Sequence, residues 1–315
     1  MEVKECAPVE FLDSVLRGIG QVMLQSNAYA GALLLAGVIY NSVLFGIAVV
    51  VGTAVSTATA VLLGAERSRV RAGLFGFNGA LVAVALLYFL RPGPLAWGYV
   101  VVASAFSSVL TAAVSHAASK WDAPGLTAPF IFTALCFVLA CARFGRLETT
   151  SLLPTAGLPK AATVEGVVGL TTVAEGVFKG LSEVFFQDNV VTGVFFVVAL
   201  LVSSRVACFA AVLGSFIGLL VGWLLGAAEP ALRFGLYGFN SALTTIALGG
   251  TFLAIDRASM LYAALGATVA AVVFAAASAA LEPIGMPALT TPFVLVVWFF
   301  LLARPLFTRL RPATA

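Results

Sequence analysis

Long apolar runs separated by short polar breaks make up most of the chain, which predicts an all-α polytopic membrane protein. A helix needs about 20 apolar residues to cross a bilayer. Most runs approach that length, and the first is short for a span. The predicted spans cover residues 28–41, 43–64, 74–90, 97–119, 126–142, 190–203, 205–226, 235–253, 259–281 and 289–303.

A weakly hydrophobic stretch precedes the spans of each half of the chain, near 14–25 and near 176–187. The first stretch carries Arg17 and Gln21 and is too short to cross a bilayer. It therefore predicts an interfacial helix or a re-entrant half-helix, and the second stretch predicts the same element again.

Three blocks of sequence occur twice, in the same order and at nearly the same spacing. GIGQVMLQSN at 18–27 returns as GLSEVFFQDN after 162 positions (180 − 18). LFGFNGALVAVAL at 74–86 returns as LYGFNSALTTIAL at the same offset, and LTAPF at 126–130 returns as LTTPF after 163 positions (289 − 126). A fixed long period is typical of a duplicated unit.

The duplication predicts two repeats with a linker between them. The first repeat covers 1–142, with the half-helix near 14–25 and about five spans, and the polar segment 143–163 is the linker. The second repeat covers 164–305, and a basic cytoplasmic tail covers 306–315. Because five spans is an odd number, the second copy enters the bilayer inverted. This arrangement predicts a pore at the pseudo-twofold interface of the two repeats.

Composition and charge agree with a lipid environment. The chain is 61% hydrophobic and 10% charged, whereas about a quarter of the residues in a soluble domain are charged. The net charge of +3 is small and dispersed, so nothing indicates nucleic acid. Placing both termini in the cytoplasm puts eleven of the 17 Lys and Arg residues on the inner side, as the positive-inside rule favours.

Glu183 is the one carboxylate in the apolar and amide-bearing block 181–187, and its repeat partner is Gln21. An ionisable group at membrane depth is costly and usually faces a cavity. The alternative is an interfacial Glu183 that pairs with Lys179 one turn earlier. Two oxygen acceptors at opposite mouths of one passage would suit a neutral solute with several N–H donors.

The two Thr-x-Pro-Phe blocks predict helix starts, with Thr127 and Thr290 as N-caps and a proline in the first turn. One interpretation is plain capping. The other is a helix that begins inside the bilayer, which survives only where it lines a cavity or is buried in protein. The two threonines would then offer hydroxyls to that cavity.

Two aromatic–aliphatic pairs lie on helical faces, because their members are four residues apart: Phe77 with Leu81 and Phe239 with Leu243. Such a stripe is usually core or lipid contact, and a pore role is the alternative. The neighbouring Asn78 and Asn240 are predicted to form hydrogen bonds across helices.

Taken together, the paired blocks resemble the repeats of the urea transporter family, and of its bacterial urea channels. The resemblance covers about residues 14 to 305. It implies a bacterial inner-membrane homotrimer in which each subunit has its own pore between two inverted halves. It also implies passive, channel-like permeation of urea through a narrow slot lined by aromatic rings, with a ladder of oxygens along one side.

The resemblance also assigns roles to individual positions. Gln21 and Glu183 match the mouth acceptors, with Val22 and Val184 beside them, and Thr127 and Thr290 match the central threonines. The slot-lining pairs match Phe77, Leu81, Phe239 and Leu243. Phe186 matches a further slot phenylalanine, whose partner position holds Leu24, so one wall of one mouth should be aliphatic.

Other functions have less support. The chain contains no GxxxxGK[ST] phosphate loop, which argues against direct use of ATP, and no pattern indicates an enzyme, a cofactor or a metal site. A proton- or ion-coupled transporter of a small neutral amide is an alternative, although such proteins usually bury several ionisable residues. A non-transport membrane scaffold is another, and it would leave the paired polar residues without a role. Besides urea and membrane lipid, related small amides are candidate partners.

Overall fold

The chain folds into a bundle of α-helices with an apolar core. The computed structural model describes residues 8–159 and 163–313. The first seven residues of the predicted first repeat, residues 160–162 of the predicted linker and the last two residues of the predicted tail lie outside the described residues.

The first half of the chain contains seven helices among its described residues, α1 to α7. In order they are Pro8–Gln21, Ala28–Asn41, Val43–Leu62, Arg67–Arg71, Phe77–Phe89, Pro94–Ser119 and Ala128–Cys141. The spans predicted from the apolar runs agree with these bounds to within three residues.

The second half contains seven corresponding helices among its described residues, α8 to α14. In order they are Leu170–Ser182, Val190–Ser203, Arg205–Leu224, Glu229–Arg233, Gly238–Ile246, Arg257–Leu281 and Thr291–Ala303. Short 3₁₀ turns follow α8, α13 and α14, at Glu183–Phe185, Glu282–Ile284 and Arg304–Leu306, and a π-helix at Ala247–Thr251 follows α12.

The two half-helices begin earlier than the sequence predicts. Helix α1 begins at Pro8 and α8 at Leu170, each six residues before the predicted start (14 − 8 and 176 − 170). Both helices are amphipathic, with one buried face that includes Val15 and Ile19 in α1. Because polar residues such as Glu10 and Thr171 interrupt their first turns, an apolar run places the start too late.

The second half contains one residue that the first half lacks, inserted at the end of α12. Helices α2 and α9 begin 162 positions apart (190 − 28), whereas α6 and α13 begin 163 positions apart (257 − 94). The extra residue lies in the π-helix, where the Phe252 N–H donates to Ala247 O five residues earlier, at 2.9 Å. A π-turn accommodates an insertion without ending the helix, so the paired blocks keep their packing although their spacing changes.

Four helices among the described residues are long and apolar enough to cross a membrane. They are α3, α6, α10 and α13, the last continuing to Ile284. Four shorter apolar helices accompany them, and α9 is separated from the α8 segment by a bend of 76°. Several helices therefore suit a multi-pass membrane protein, while others are too short to span about 30 Å alone.

The halves are joined by hydrogen bonds between corresponding elements. The Thr192 hydroxyl of α9 donates to Gly37 O of α2 at 2.9 Å. At a second contact, the Trp298 indole N–H of α14 donates to Pro124 O, just before α7, at 2.8 Å. The centre of the molecule is thus built by both halves.

Candidate functional site

Gln21 is the last residue of α1, at the start of the turn that leads to α2. Its side-chain Nε2 donates to Ala72 O at 3.0 Å, which leaves Oε1 available as an acceptor. Gly73 adopts a φ of +78°, and a Cβ there would collide with the backbone of Arg17 and Gly18. This close approach of α1 to the turn before α5 depends on glycine and brings Ala72 within reach of Gln21.

Glu183 occupies the corresponding position after α8, in the 3₁₀ turn Glu183–Phe185. Its Oε2 is buried and has no hydrogen-bond partner among the described residues. Lys179 instead forms ion pairs with Asp188, at 2.7 Å, and Glu175, at 3.4 Å. The alternative in which Glu183 pairs with Lys179 is therefore wrong, because the ion pairs of Lys179 among the described residues are with those two carboxylates and not with Glu183.

Both turns use a left-handed residue, which sequence reasoning missed. Leu24 has a φ of +60° and Phe186 a φ of +58°, a region that costs a residue with a Cβ about 1–2 kcal/mol. Such outliers cluster at functional sites. Neither glycine nor asparagine marks these positions, so the sequence carries no signal for them.

Thr127 and Thr290 meet each other, with their hydroxyl oxygens 2.6 Å apart. Both residues stand at the N-cap positions of α7 and α14, yet neither side chain accepts a backbone N–H there. The prediction of two helix starts is confirmed, while the simple capping interpretation is wrong. The preceding residues, Leu126 and Leu289, are also left-handed, with φ of +49° and +50°.

Asn78 and Asn240 perform the capping that the threonines do not. Asn78 Oδ1 accepts the Phe130 N–H at 3.1 Å, and Asn240 Oδ1 accepts the Phe293 N–H at 3.1 Å. Asn78 Nδ2 also donates to Thr111 Oγ1 at 3.1 Å. The prediction that both asparagines form hydrogen bonds across helices is confirmed, and these bonds hold the starts of α7 and α14 beside α5 and α12.

Four of the predicted slot residues lie on two central helices, α5 and α12. Phe77 and Leu81 share one face of α5, Phe239 and Leu243 share one face of α12, and all four are buried. Val22 and Val184, which follow Gln21 and Glu183, are each 2% exposed.

An aromatic cluster surrounds Phe186 at the Glu183 turn. The centroid of its ring lies 5.2 Å from that of Tyr88 and 6.0 Å from that of Phe89, both at the end of α5. Phe45 of α3 continues the cluster, 6.2 Å from Tyr88. Leu24, at the corresponding position of the other turn, has no ring to contribute.

The site contains hydrogen-bonding groups rather than metal ligands. No group of three His, Cys, Asp or Glu side chains comes together within the described ranges 8–159 and 163–313. Within these ranges, carbonyl, carboxylate and hydroxyl oxygens lie along α5 and α12, among buried apolar side chains. Such an arrangement can accept hydrogen bonds from a neutral solute.

Comparison with known proteins identifies the family of the chain. A family model described as Urea transporter matches residues 12–305. Urea transporter 1 of Mus musculus is 34% identical over 298 residues, which cover 93% of this chain and 77% of the mouse protein. The Rattus norvegicus protein gives the same values, and the Ovis aries protein is 33% identical over the same shares. The chain therefore belongs to the urea transporter family.

Proposed function

We propose that the chain conducts urea passively across the membrane, through a narrow slot between its two halves. The observation that carries the proposal is the buried Oε2 of Glu183, which has no hydrogen-bond partner among the described residues. Leaving a buried polar group unpaired costs about 1–3 kcal/mol. A passing N–H donor would satisfy it.

The chemistry of urea fits the oxygens at the site. Urea is flat and neutral, with four N–H donors and one carbonyl. Gln21 Oε1 and Glu183 Oε2 serve as acceptors at the two mouths, and the Thr127–Thr290 pair offers hydroxyls between them. Hydrogen bonds replaced at several weak sites allow a solute to enter without being trapped, as conduction requires.

The walls of the slot would select by thickness. Phe77, Leu81, Phe239 and Leu243 present flat and aliphatic surfaces, with Val22 and Val184 beside the acceptors. Phe186 closes one mouth and Leu24 the other. Hydrated ions would lose their water among these apolar groups without replacement, which costs far more than it does for a neutral solute.

The directions of two corresponding helices support an inverted arrangement. Helix α3 begins near the Glu183 turn, since Asn41 Nδ2 donates to Gln187 Oε1 at 2.9 Å. It leads to α4 and Ala72, which contacts Gln21. Its counterpart α10 begins beside the Gln21 turn, where Ser204 and Gln25 line one cavity. We therefore propose two inverted repeats of about five spans and a half-helix, at 1–142 and 164–305, joined by 143–163.

The decisive experiment is stopped-flow light scattering on proteoliposomes. Urea, formamide and glycerol flux would be compared for the wild type, Glu183→Leu and Glu183→Gln. We expect fast urea flux that does not depend on a proton gradient. It should fall about tenfold to a hundredfold in Glu183→Leu, because the acceptor is lost, and persist in Glu183→Gln, which keeps an acceptor.

Two results would contradict the proposal. Flux that needs a proton gradient and disappears in Glu183→Gln would indicate a coupled transporter. Absence of flux for every solute, in correctly folded protein, would favour a scaffold.

Location and assembly are part of the same proposal. The loop charges support both termini in the cytoplasm of a bacterial cell, and the family resemblance supports a homotrimer with one pore in each subunit. Labelling of single cysteines introduced at Ser68 and at Gly145 in intact cells should protect the first position and expose the second. Native mass spectrometry should give three chains per particle.

A further inference from the structure

A cavity lies beside the Gln21 turn. It is partly open, has a volume of about 230 Å³, and is lined by Leu24, Gln25, Ser204, Ala207 and Thr251 among others. Of the proposed slot residues, only Leu24 is among its described lining residues. The cavity thus adjoins the slot at one residue.

The cavity exists because small residues replace the aromatic cluster of the other half. Phe45 is the third residue of α3, and Ala207 is the third residue of α10. Phe186 corresponds to Leu24 in the repeated block. The bridged residues Leu90 and Leu253 are 163 positions apart (253 − 90), and at this offset Tyr88 corresponds to Thr251 (251 − 88), the last residue of the π-helix. Three rings are therefore replaced by alanine, leucine and threonine, and the vacated space is the cavity.

Gln25 carries an unused acceptor at this cavity. Its side chain is only 6% exposed, and its Nε2 donates to Met23 O at 3.0 Å. The corresponding Gln187 Oε1 accepts from Asn41 at 2.9 Å, but serine occupies the position equivalent to Asn41. Within the described part of the chain, Gln25 Oε1 has no hydrogen-bond partner, and the residue lines the cavity.

Two hydroxyls add polarity to the same wall. Ser204 Oγ accepts the Ala207 N–H at 3.2 Å, which leaves its hydroxyl hydrogen to donate. Thr251 Oγ1 donates to Ile246 O at 3.0 Å, which leaves its lone pairs to accept. Leu24, Val206 and Ile255 supply an apolar surface nearby.

We propose that this cavity binds a neutral amide or urea that carries a short alkyl chain. The acceptors at Gln25 and Thr251 suit its N–H groups, the Ser204 hydroxyl suits its carbonyl, and the aliphatic side chains suit the alkyl group. A pocket with a few convergent polar groups in an apolar wall is the usual form of a small-molecule site.

An occupant of the cavity would lie against Leu24 and slow the passage of urea. This consequence rests on the proposed slot, whereas binding does not. The alkyl-bearing ligand therefore acts as a one-sided inhibitor at the Gln21 mouth.

The test uses N-propylurea as the probe and the full chain in lipid nanodiscs. Isothermal titration calorimetry should show one saturable site per chain. Ala207→Phe places a ring where the first half has Phe45, and should weaken binding at least about tenfold through steric exclusion. Gln25→Met removes the acceptor at nearly constant size, and should also weaken binding. Phe45→Leu, at the equivalent position of the other half, is the matched control and should not change it.

Flux assays separate this inference from the proposed function. N-propylurea should slow urea flux in the wild type and lose that effect in Ala207→Phe, when each protein's flux with inhibitor is divided by its own flux without it. Urea flux without saturable N-propylurea binding would overturn the inference alone. Binding that Ala207→Phe and Gln25→Met both leave intact would also overturn it. Saturable binding in a protein that conducts no urea would support the site and contradict the channel.

Discussion

The turns at 21–27 and 183–189 follow the same backbone path but present different chemistry. Each ends a helix, contains one left-handed residue and leads to an Asn N-cap: Asn27 accepts the Tyr29 N–H at 2.9 Å, and Asn189 accepts the Thr192 N–H at 3.0 Å. Gln21 is held by Ala72, whereas Glu183 Oε2 has no described partner. The backbone thus fixes the position of the acceptor residue, and the side chains decide which hydrogen bonds it forms and which groups surround it.

A second pair of contacts, outside the proposed slot, also combines a repeated backbone arrangement with different side chains. Glu10 of α1 contacts Arg67, at 2.6 Å, and Arg71. At the corresponding place, Thr172 donates to Glu229 at 2.5 Å, and Glu229 pairs with Arg233 at 2.9 Å. Helix α1 contacts α4, and α8 contacts α11 in the same way. The carboxylate lies on α1 in the first half but on α11 in the second half.

The largest expected effect is the difference in urea flux between variants of the two proposed mouth acceptors. Glu183→Leu should lower urea flux about tenfold to a hundredfold, since its acceptor is buried. Gln21→Leu should lower flux less, because Gln21 Oε1, unlike Glu183 Oε2, is not among the buried unpaired atoms of the described residues, so water can replace it. Stopped-flow rates of both variants, with matched protein content, measure the difference. Equal losses would mean that the mouths are energetically alike.

The two capping asparagines should contribute unequally to stability. Asn78→Leu leaves the Phe130 N–H unpaired and also loses two bonds from Nδ2, to Thr111 Oγ1 and to Leu126 O at 3.5 Å, at a cost of about 1–3 kcal/mol for each buried group left unpaired. Asn240→Leu loses the bond to Phe293 and a 3.2 Å bond to Leu289 O. Thermal unfolding in detergent should show a larger loss for Asn78→Leu. Asn240→Leu, at the equivalent position of the other half, is the matched control.

Exchanging the residues of the left-handed positions should exchange the selectivity of the mouths. Phe186→Leu widens the aromatic mouth and should raise N-methylurea flux by roughly tenfold relative to urea, on the scale of small changes in pocket size. Leu24→Phe should lower that ratio. Neither change alters the left-handed backbone, because each introduces the residue found in the other half. An unchanged ratio in both variants would place selectivity elsewhere.

The smallest effect concerns pH. The Arg67 guanidinium, with Arg71, lowers the pKa of the Glu10 carboxyl to about 2. A lowered folded-state pKa stabilises the protein above the ordinary Glu value, and that contribution is lost as the pH falls toward 2. Glu10→Gln should therefore be slightly less stable than the wild type at pH 7, with the difference shrinking below about pH 4. Thermal midpoints across that range measure it, and Thr172→Val, which carries no charge, should show no such convergence.

The sequence by itself predicted the helices and the candidate site residues. Apolar runs located the helices, because a lipid environment leaves few polar residues within them. The paired blocks, which made the resemblance visible, located Gln21, Glu183, Thr127 and Thr290. These features depend on local composition and order, which a linear sequence displays directly.

Only the tertiary structure decided how those residues are satisfied. The start of α7 is capped by Asn78 and not by Thr127, 49 positions away (127 − 78). Lys179 pairs with Asp188 and not with Glu183. Both outcomes depend on distances in the folded chain, which sequence spacing does not give. The left-handed Leu24 and Phe186 are imposed by packing against local preference. The cavity required Leu24, Ala207 and Thr251 to meet from distant segments, since empty space belongs to the packed molecule and not to any one stretch of chain.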